Sequence, residues 1–122
     1  LFSSPAGNDA LEGLSYTQAV TNINGIIDVI QEFNPNTTII IEQMAPARSD
    51  IMTSELNEFL EQMKEEVLNI AESKTTSKSE VIAIDMFSGF NDSLLADDVH
   101  YNEDGAKFIA GRYFDLLMSV LE

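Results

Sequence analysis

The chain contains one histidine, His100, which follows Asp97 by three residues in the segment Asp97-Asp98-Val99-His100-Tyr101-Asn102. A histidine whose Nδ1–H is held by a carboxylate has a fixed tautomer. Its Nε2 is then free to take a proton from a hydroxyl nucleophile. The same spacing fits a surface histidine that merely gains charge from Asp97 and Asp98, and taken alone it favours that reading, because short motifs match by chance. A second group is Gly7-Asn8-Asp9. An asparagine amide just past the end of a strand can donate to a developing oxyanion, a contact typically worth about 10²–10³ in rate. Gly-Asn-Asp is also ordinary turn chemistry, in which Asn tolerates the left-handed region and Asp caps the next element. The absence of cysteine removes thiolate metal sites, disulfide scaffolds and cysteine nucleophiles together.

The elements that must position these groups can be read from periodicity. Residues 1–4 fit the end of a strand stopped by Pro5 and by Gly7-Asn8. From Tyr16 the apolar positions Ala19, Val20, Ile23, Ile27, Ile30 and Phe33 recur at helical steps, and Asn34-Pro35-Asn36 ends the helix. Residues 37–41 are a β-branched run without a polar face, as expected of a buried parallel strand. A second helix runs through Leu56, Phe59, Leu60, Met63, Val67 and Ile70, with its glutamates on a solvated face. Residues 81–84 predict another buried strand, and an irregular stretch follows over 88–101. A last helix is expected to be capped by Asn102, with Glu103 and Asp104 in its first turn, where the helix dipole favours anions. Such alternation predicts an α/β domain with a parallel sheet. Functional groups then belong in the loops beyond the carboxyl ends of the strands.

The length, 122 residues, is that of a single domain spanning 1–122, and 44% apolar with 22% charged residues is a globular composition. Six Lys and Arg stand against 21 Asp and Glu, a formal net charge of -15, and no basic residue precedes Arg48. Nucleic acid and anionic membrane surfaces are therefore excluded as partners. No apolar run is long enough to span a bilayer. The chain is expected to be soluble, in a compartment that composition does not fix.

Ala6-Gly7-Asn8-Asp9 resembles the G-x-N-D motif of the SGNH (GDSL-type) hydrolases, and Asp97-Asp98-Val99-His100-Tyr101-Asn102 followed by Gly105 resembles their D-x-x-H-x-N motif. Asn34-Pro35-Asn36-Thr37 leading into a hydrophobic strand and then Ala45-Pro46 is also similar. The resemblance covers essentially the whole chain. It implies a flavodoxin-like α/β/α three-layer sandwich and ester hydrolysis through an acyl-enzyme. By the same resemblance, Asn8 is the oxyanion donor, His100 the general base and Asp97 its orienting partner, with no cofactor or metal and a small ester or acetylated compound as substrate.

The departures are Ala6 in place of the motif's first glycine, Tyr101 where proline commonly follows the histidine, and the lack of a G-D-S segment and of the second-strand glycine. The 122 residues are accordingly expected to start at the family's third strand, to lack the first two strands and the nucleophile, and to be inactive alone. The absent initiator methionine agrees with that expectation. Asn91-Asp92-Ser93-Leu94 imitates the GDSL string but lies in the loop before His100, whereas the family nucleophile needs a strand-to-helix turn on another strand. A calcium loop fails too: with Gly105 at its sixth position, the first and twelfth are His100 and Gly111 instead of carboxylates. The alternative function is a non-catalytic α/β domain. With two strands missing, an unpaired sheet edge beside residues 1–4 and an uncovered helix face predict self-association or pairing with the missing segment.

Overall fold

The computed structural model describes residues 2–3 and 15–121. The expected oxyanion segment, Ala6 to Asp9 with Asn8, lies outside the described residues. Within them the chain runs through β1 (Phe2–Ser3), α1 (Tyr16–Phe33), β2 (Ile39–Gln43), α2 (Ser54–Lys74), β3 (Val81–Asp85), a single 3₁₀ turn (Asp92–Leu94) and α3 (Glu103–Val120). The strands form one parallel sheet in the order β1-β2-β3, with Phe2 opposite Ile40 and Ile39 opposite Val81.

Strand β2 is central and buried along its whole length, which explains its run of three isoleucines. Successive side chains of a strand point to opposite faces. Ile39 and Ile41 accordingly pack with Ala19, Ile23 and Ile27 of α1, Met63, Val67 and Ile70 of α2, and Val81 of β3. On the other face Ile40 joins Ile84 and Met86 under Ile109, Tyr113, Leu116 and Leu117 of α3. Among the described residues two helices cover one face and one covers the other, which gives the α/β/α layering expected of the sequence. Each helix starts at a side-chain cap: Ser15 Oγ accepts from Gln18 N–H, Thr53 Oγ1 from Leu56 N–H and Asn102 Oδ1 from Gly105 N–H. The glutamates of α2 divide as the pattern requires, with Glu55, Glu58, Glu61, Glu65 and Glu72 exposed and Glu66 half-buried.

Strand β2 lies two residues further along than residues 37–41, the run that hydrophobicity marks. Thr37 is held in the preceding turn, where its N–H donates to Asn34 O and its carbonyl accepts from the buried Ser79 hydroxyl. The strand instead takes in Glu42 and Gln43, 7% and 5% exposed. Gln43 Nε2 donates to Lys64 O, and the Tyr113 hydroxyl donates to Glu42 Oε1 at 2.5 Å. These partners make the polar end of the strand tolerable in the interior. Burial and the Glu42 carboxylate together hold the Tyr113 phenol far above the usual tyrosine range, so it stays a donor. No described helix is long and apolar enough to cross a membrane.

Candidate active site

The loops beyond the carboxyl ends of β2 and β3 carry the polar groups that could do chemistry. After β3, the Asp85 carboxylate accepts from the N–H groups of Phe87 and Ser88 and turns the chain away from the sheet. Gly89, at φ 79°, occupies the left-handed region that disfavours side chains. The 3₁₀ turn follows, with Asn91 Oδ1 accepting from Ser93 N–H.

The segment that carries Asp97 and His100 is a closed loop. Leu95 and Tyr101 form an antiparallel bridge at its neck, and Ala96 N–H donates to His100 O at 2.8 Å. Asp97 closes the tip: its Oδ1 accepts from Val99 N–H at 2.9 Å and from His100 N–H at 2.7 Å. The same carboxylate receives the imidazole, with His100 Nδ1 at 3.0 Å from Oδ1 and 2.8 Å from Oδ2. The three-residue spacing therefore does two jobs at once. It forms an Asx turn and points the ring back onto the carboxylate that closes it. In the tautomer that donates Nδ1–H to Asp97, Nε2 carries the ring's free lone pair. The imidazole is 77% exposed, so a substrate or a second segment could reach it.

Asn102 and Gly105 fix this loop to α3. Asn102 caps the helix through Oδ1, while its Nδ2 donates to Ser93 O at 2.7 Å and to Leu95 O at 3.3 Å. Gly105 permits the approach of helix and loop, because a Cβ there would lie 2.1 Å from Leu94 O. The D-x-x-H-x-N…G pattern thus reads as a loop closure, an imidazole held by the closing carboxylate, a cap and a close contact.

Arg48, Ser49 and Asp92 also reach this site, and no motif in the sequence marks them for it. Arg48 N–H donates to Asp98 O at 2.8 Å, and its guanidinium bridges Asp50 and Asp98, with Nε and Nη2 each 2.6 Å from an oxygen. Ser49 donates from N–H and Oγ to the two oxygens of Asp92, at 2.9 and 2.5 Å. The loops after β2 and β3 are stapled together by these contacts. One signal was visible: Arg48 is the first cation after 47 residues without one, and Asp50 follows two positions later. Ser93, by contrast, donates its hydroxyl to its own neighbour Asn91 and sits on a 3₁₀ turn.

The Asp97 carboxyl is pushed down to about 2 by the N–H of Val99 first, then by the N–H and the ring of His100. A carboxyl lowered below the ~3.9 of a free aspartate stabilises the closed loop above about pH 4. That contribution is lost as the pH falls through about 2. In an acid titration followed by NMR, the amide protons of Val99 and His100 should move together with a midpoint near 2. A midpoint near 4 would show that Asp97 does not hold the loop.

No family model matches the sequence, and a search of curated proteins finds no match. Solved structures do match its shape. A carbohydrate esterase family 3 protein from Talaromyces cellulolyticus superimposes with a TM-score of 0.80 at 22% identity, covering 93% of this chain and 54% of that one. A serine-to-alanine mutant of an acetyl esterase, solved with an acetate ion, gives 0.79 at 22% identity with the same coverage. A chain from Streptococcus pneumonia gives 0.79 at 17% identity, covering 95% of this chain and 58% of its own. The present chain spans a little over half the length of each. These likenesses establish the fold: the α/β/α arrangement of this chain is shared with the esterase structures it superimposes on.

Proposed function

We propose that this chain, built on the SGNH-type esterase fold, is the acid-base part of a serine ester hydrolase. In this reading the serine attacks an ester or acetyl group and is supplied from outside these 122 residues. The observation that carries it is the Asp97–His100 pair, held by the closed loop beyond the carboxyl end of β3. His100 Nε2 takes the proton of the attacking serine and returns it to the leaving alcohol. Asp97 keeps the ring in the required tautomer and stabilises the imidazolium that forms. Asn8, by its motif, donates to the oxyanion of the tetrahedral intermediate. Two of the structural neighbours being esterases supports the reaction class, and the acetyl esterase among them suggests acetate esters as first substrates to try.

The test is hydrolysis of 4-nitrophenyl acetate by two proteins, the 122-residue chain and the same chain extended by its upstream coding sequence. The extended protein should turn the ester over, and the 122-residue chain should match the buffer rate. Turnover by the short chain at the rate of the extended one would refute the division of labour proposed here.

A second reading, a non-catalytic module that self-associates, is favoured by one specific observation. Phe114 and Met118 of α3 and its C-cap Leu121 follow at successive four- and three-residue steps and are 63%, 50% and 80% exposed. Helical residues at this spacing share a face, and an apolar stripe of this kind commonly marks an interaction surface. Light scattering at tens of micromolar should then show a species of at least twice the 13.5 kDa chain mass. A strictly monomeric folded species would remove this reading.

A further inference from the structure

The two stapled loops enclose an open cleft of about 620 Å³, within the range of small-molecule sites. Pro46, Ala47 and Met52 from the loop after β2 and Phe87 and Phe90 from the loop after β3 supply its apolar wall. The cleft adjoins the Asp97–His100 loop at two points. The Phe90 ring packs edge-on against Tyr101, with centroids 5.7 Å apart, and Arg48, next to Ala47, holds Asp98.

Most polar groups of the wall are already committed to one another, the side chain of Asn57 at the start of α2 being the exception. Both Asp92 oxygens accept from Ser49, and Asn91 Oδ1 accepts from the N–H and the hydroxyl of Ser93. A ligand rich in hydroxyls would find few partners here, and polar groups that lose water without replacement are penalised. Charge narrows the choice further. Asp92 in the wall, with Asp50 and Asp98 close by on Arg48, opposes an anion. The ammonium of Lys64 lies 5.0 Å from the Phe87 ring centre, so this ring already holds a cation and is a poorer partner for a second one.

We infer that this cleft holds an uncharged aryl or alkyl group of the ester, so that the site selects apolar esters over acetylated sugars. The inference rests on the esterase reading only in calling its occupant part of an ester. Because both loops are tied by their own hydrogen bonds, the wall is formed before the ligand arrives, which lowers the ordering cost of binding.

The test is a binding measurement in which no bond is broken, so its failure and the failure of the esterase assay are distinguishable. The ¹⁵N-labelled protein, expressed with its upstream coding sequence, is titrated with benzyl alcohol and, separately, with methyl β-xyloside. Benzyl alcohol should give saturable shifts of the Ala47, Ser49, Met52, Phe87 and Asn91 amides, and the xyloside should need at least about tenfold higher concentration for the same effect. Met52→Glu, which sets a charge against the apolar wall, should weaken benzyl alcohol binding by about tenfold or more while the spectrum keeps its dispersion. If that variant loses its fold, Ala47→Glu makes the same test from another wall position. Absence of saturable shifts with benzyl alcohol, equal or tighter binding of the xyloside, or unchanged affinity in a folded charged variant would overturn the inference.

Discussion

Replacing His100 by alanine in the extended protein should lower turnover of 4-nitrophenyl acetate by about 10⁶-fold, the scale on which serine hydrolases lose activity without their base. The expectation follows from the geometry of one nitrogen. Asp97 accepts at Nδ1, so Nε2 is the ring's available base. Alanine leaves the hydroxyl nucleophile with no local acceptor for its proton. Asp97→Asn provides the finer test. The Asp97 oxygen that closes the loop accepts from Val99 and His100 N–H, while the other faces Nδ1. A carboxamide can replace only one of these oxygens as an acceptor. If its oxygen keeps the backbone donors, its NH₂ points at the ring and forces Nδ1 to accept. The ring proton then moves to Nε2 and the base is lost, at a cost of about 10⁴-fold in kcat with the loop still closed. The two variants should therefore share a folded structure and differ in residual rate. Full activity of His100→Ala would end the esterase assignment.

Gly105→Ala should destabilise the chain by about 3 kcal/mol, at the upper end of ordinary overpacking. The added methyl would sit 2.1 Å from Leu94 O and 3.1 Å from both the Leu94 carbonyl carbon and the Tyr101 Cβ. Two of these neighbours are backbone atoms, which cannot turn aside as a side-chain tip can. Relief requires the first turn of α3 to move off the 3₁₀ turn. That breaks the Asn102 cap and the Asn102 N–H bond to Leu94 O, which together set the neck of the His100 loop. Stability and site order should fall together. Gly111→Ala is the built-in control: it lies in the same helix, with nothing within 4 Å of its would-be Cβ. Removing a helix-interior glycine there should stabilise the chain by about 1 kcal/mol. Urea unfolding midpoints that moved alike for both variants would refute the close-contact role of Gly105.

How much of this was legible in the sequence depends on how local each feature is. Helix α1 and strand β3 follow from periodicity because their partners demand only an apolar face. The Asn102 cap is local as well, since donor and acceptor lie three residues apart. The end of β2 is different. Glu42 and Gln43 look like strand terminators, and they are accommodated only because Tyr113 and Lys64, 71 and 21 residues away, meet them in the folded chain. The loop staples are equally long-range, with Ser49 and Asp92 separated by 43 residues. No spacing rule connects such pairs. The Asp97–His100 loop falls between the two cases. Its motif pointed to a charged pair, but the bonds from Val99 and His100 N–H, which make Asp97 both the closure and the orienting group, emerge only from the fold.

The central claim is that these residues supply the base while the nucleophile comes from elsewhere. The most direct measurement is fluorophosphonate labelling of the protein expressed with its upstream coding sequence, followed by peptide mapping of the modified serine. The account predicts one labelled serine outside residues 1–122, with labelling lost in His100→Ala. A label on a serine within these residues, such as Ser93, or labelling indifferent to His100, would contradict it.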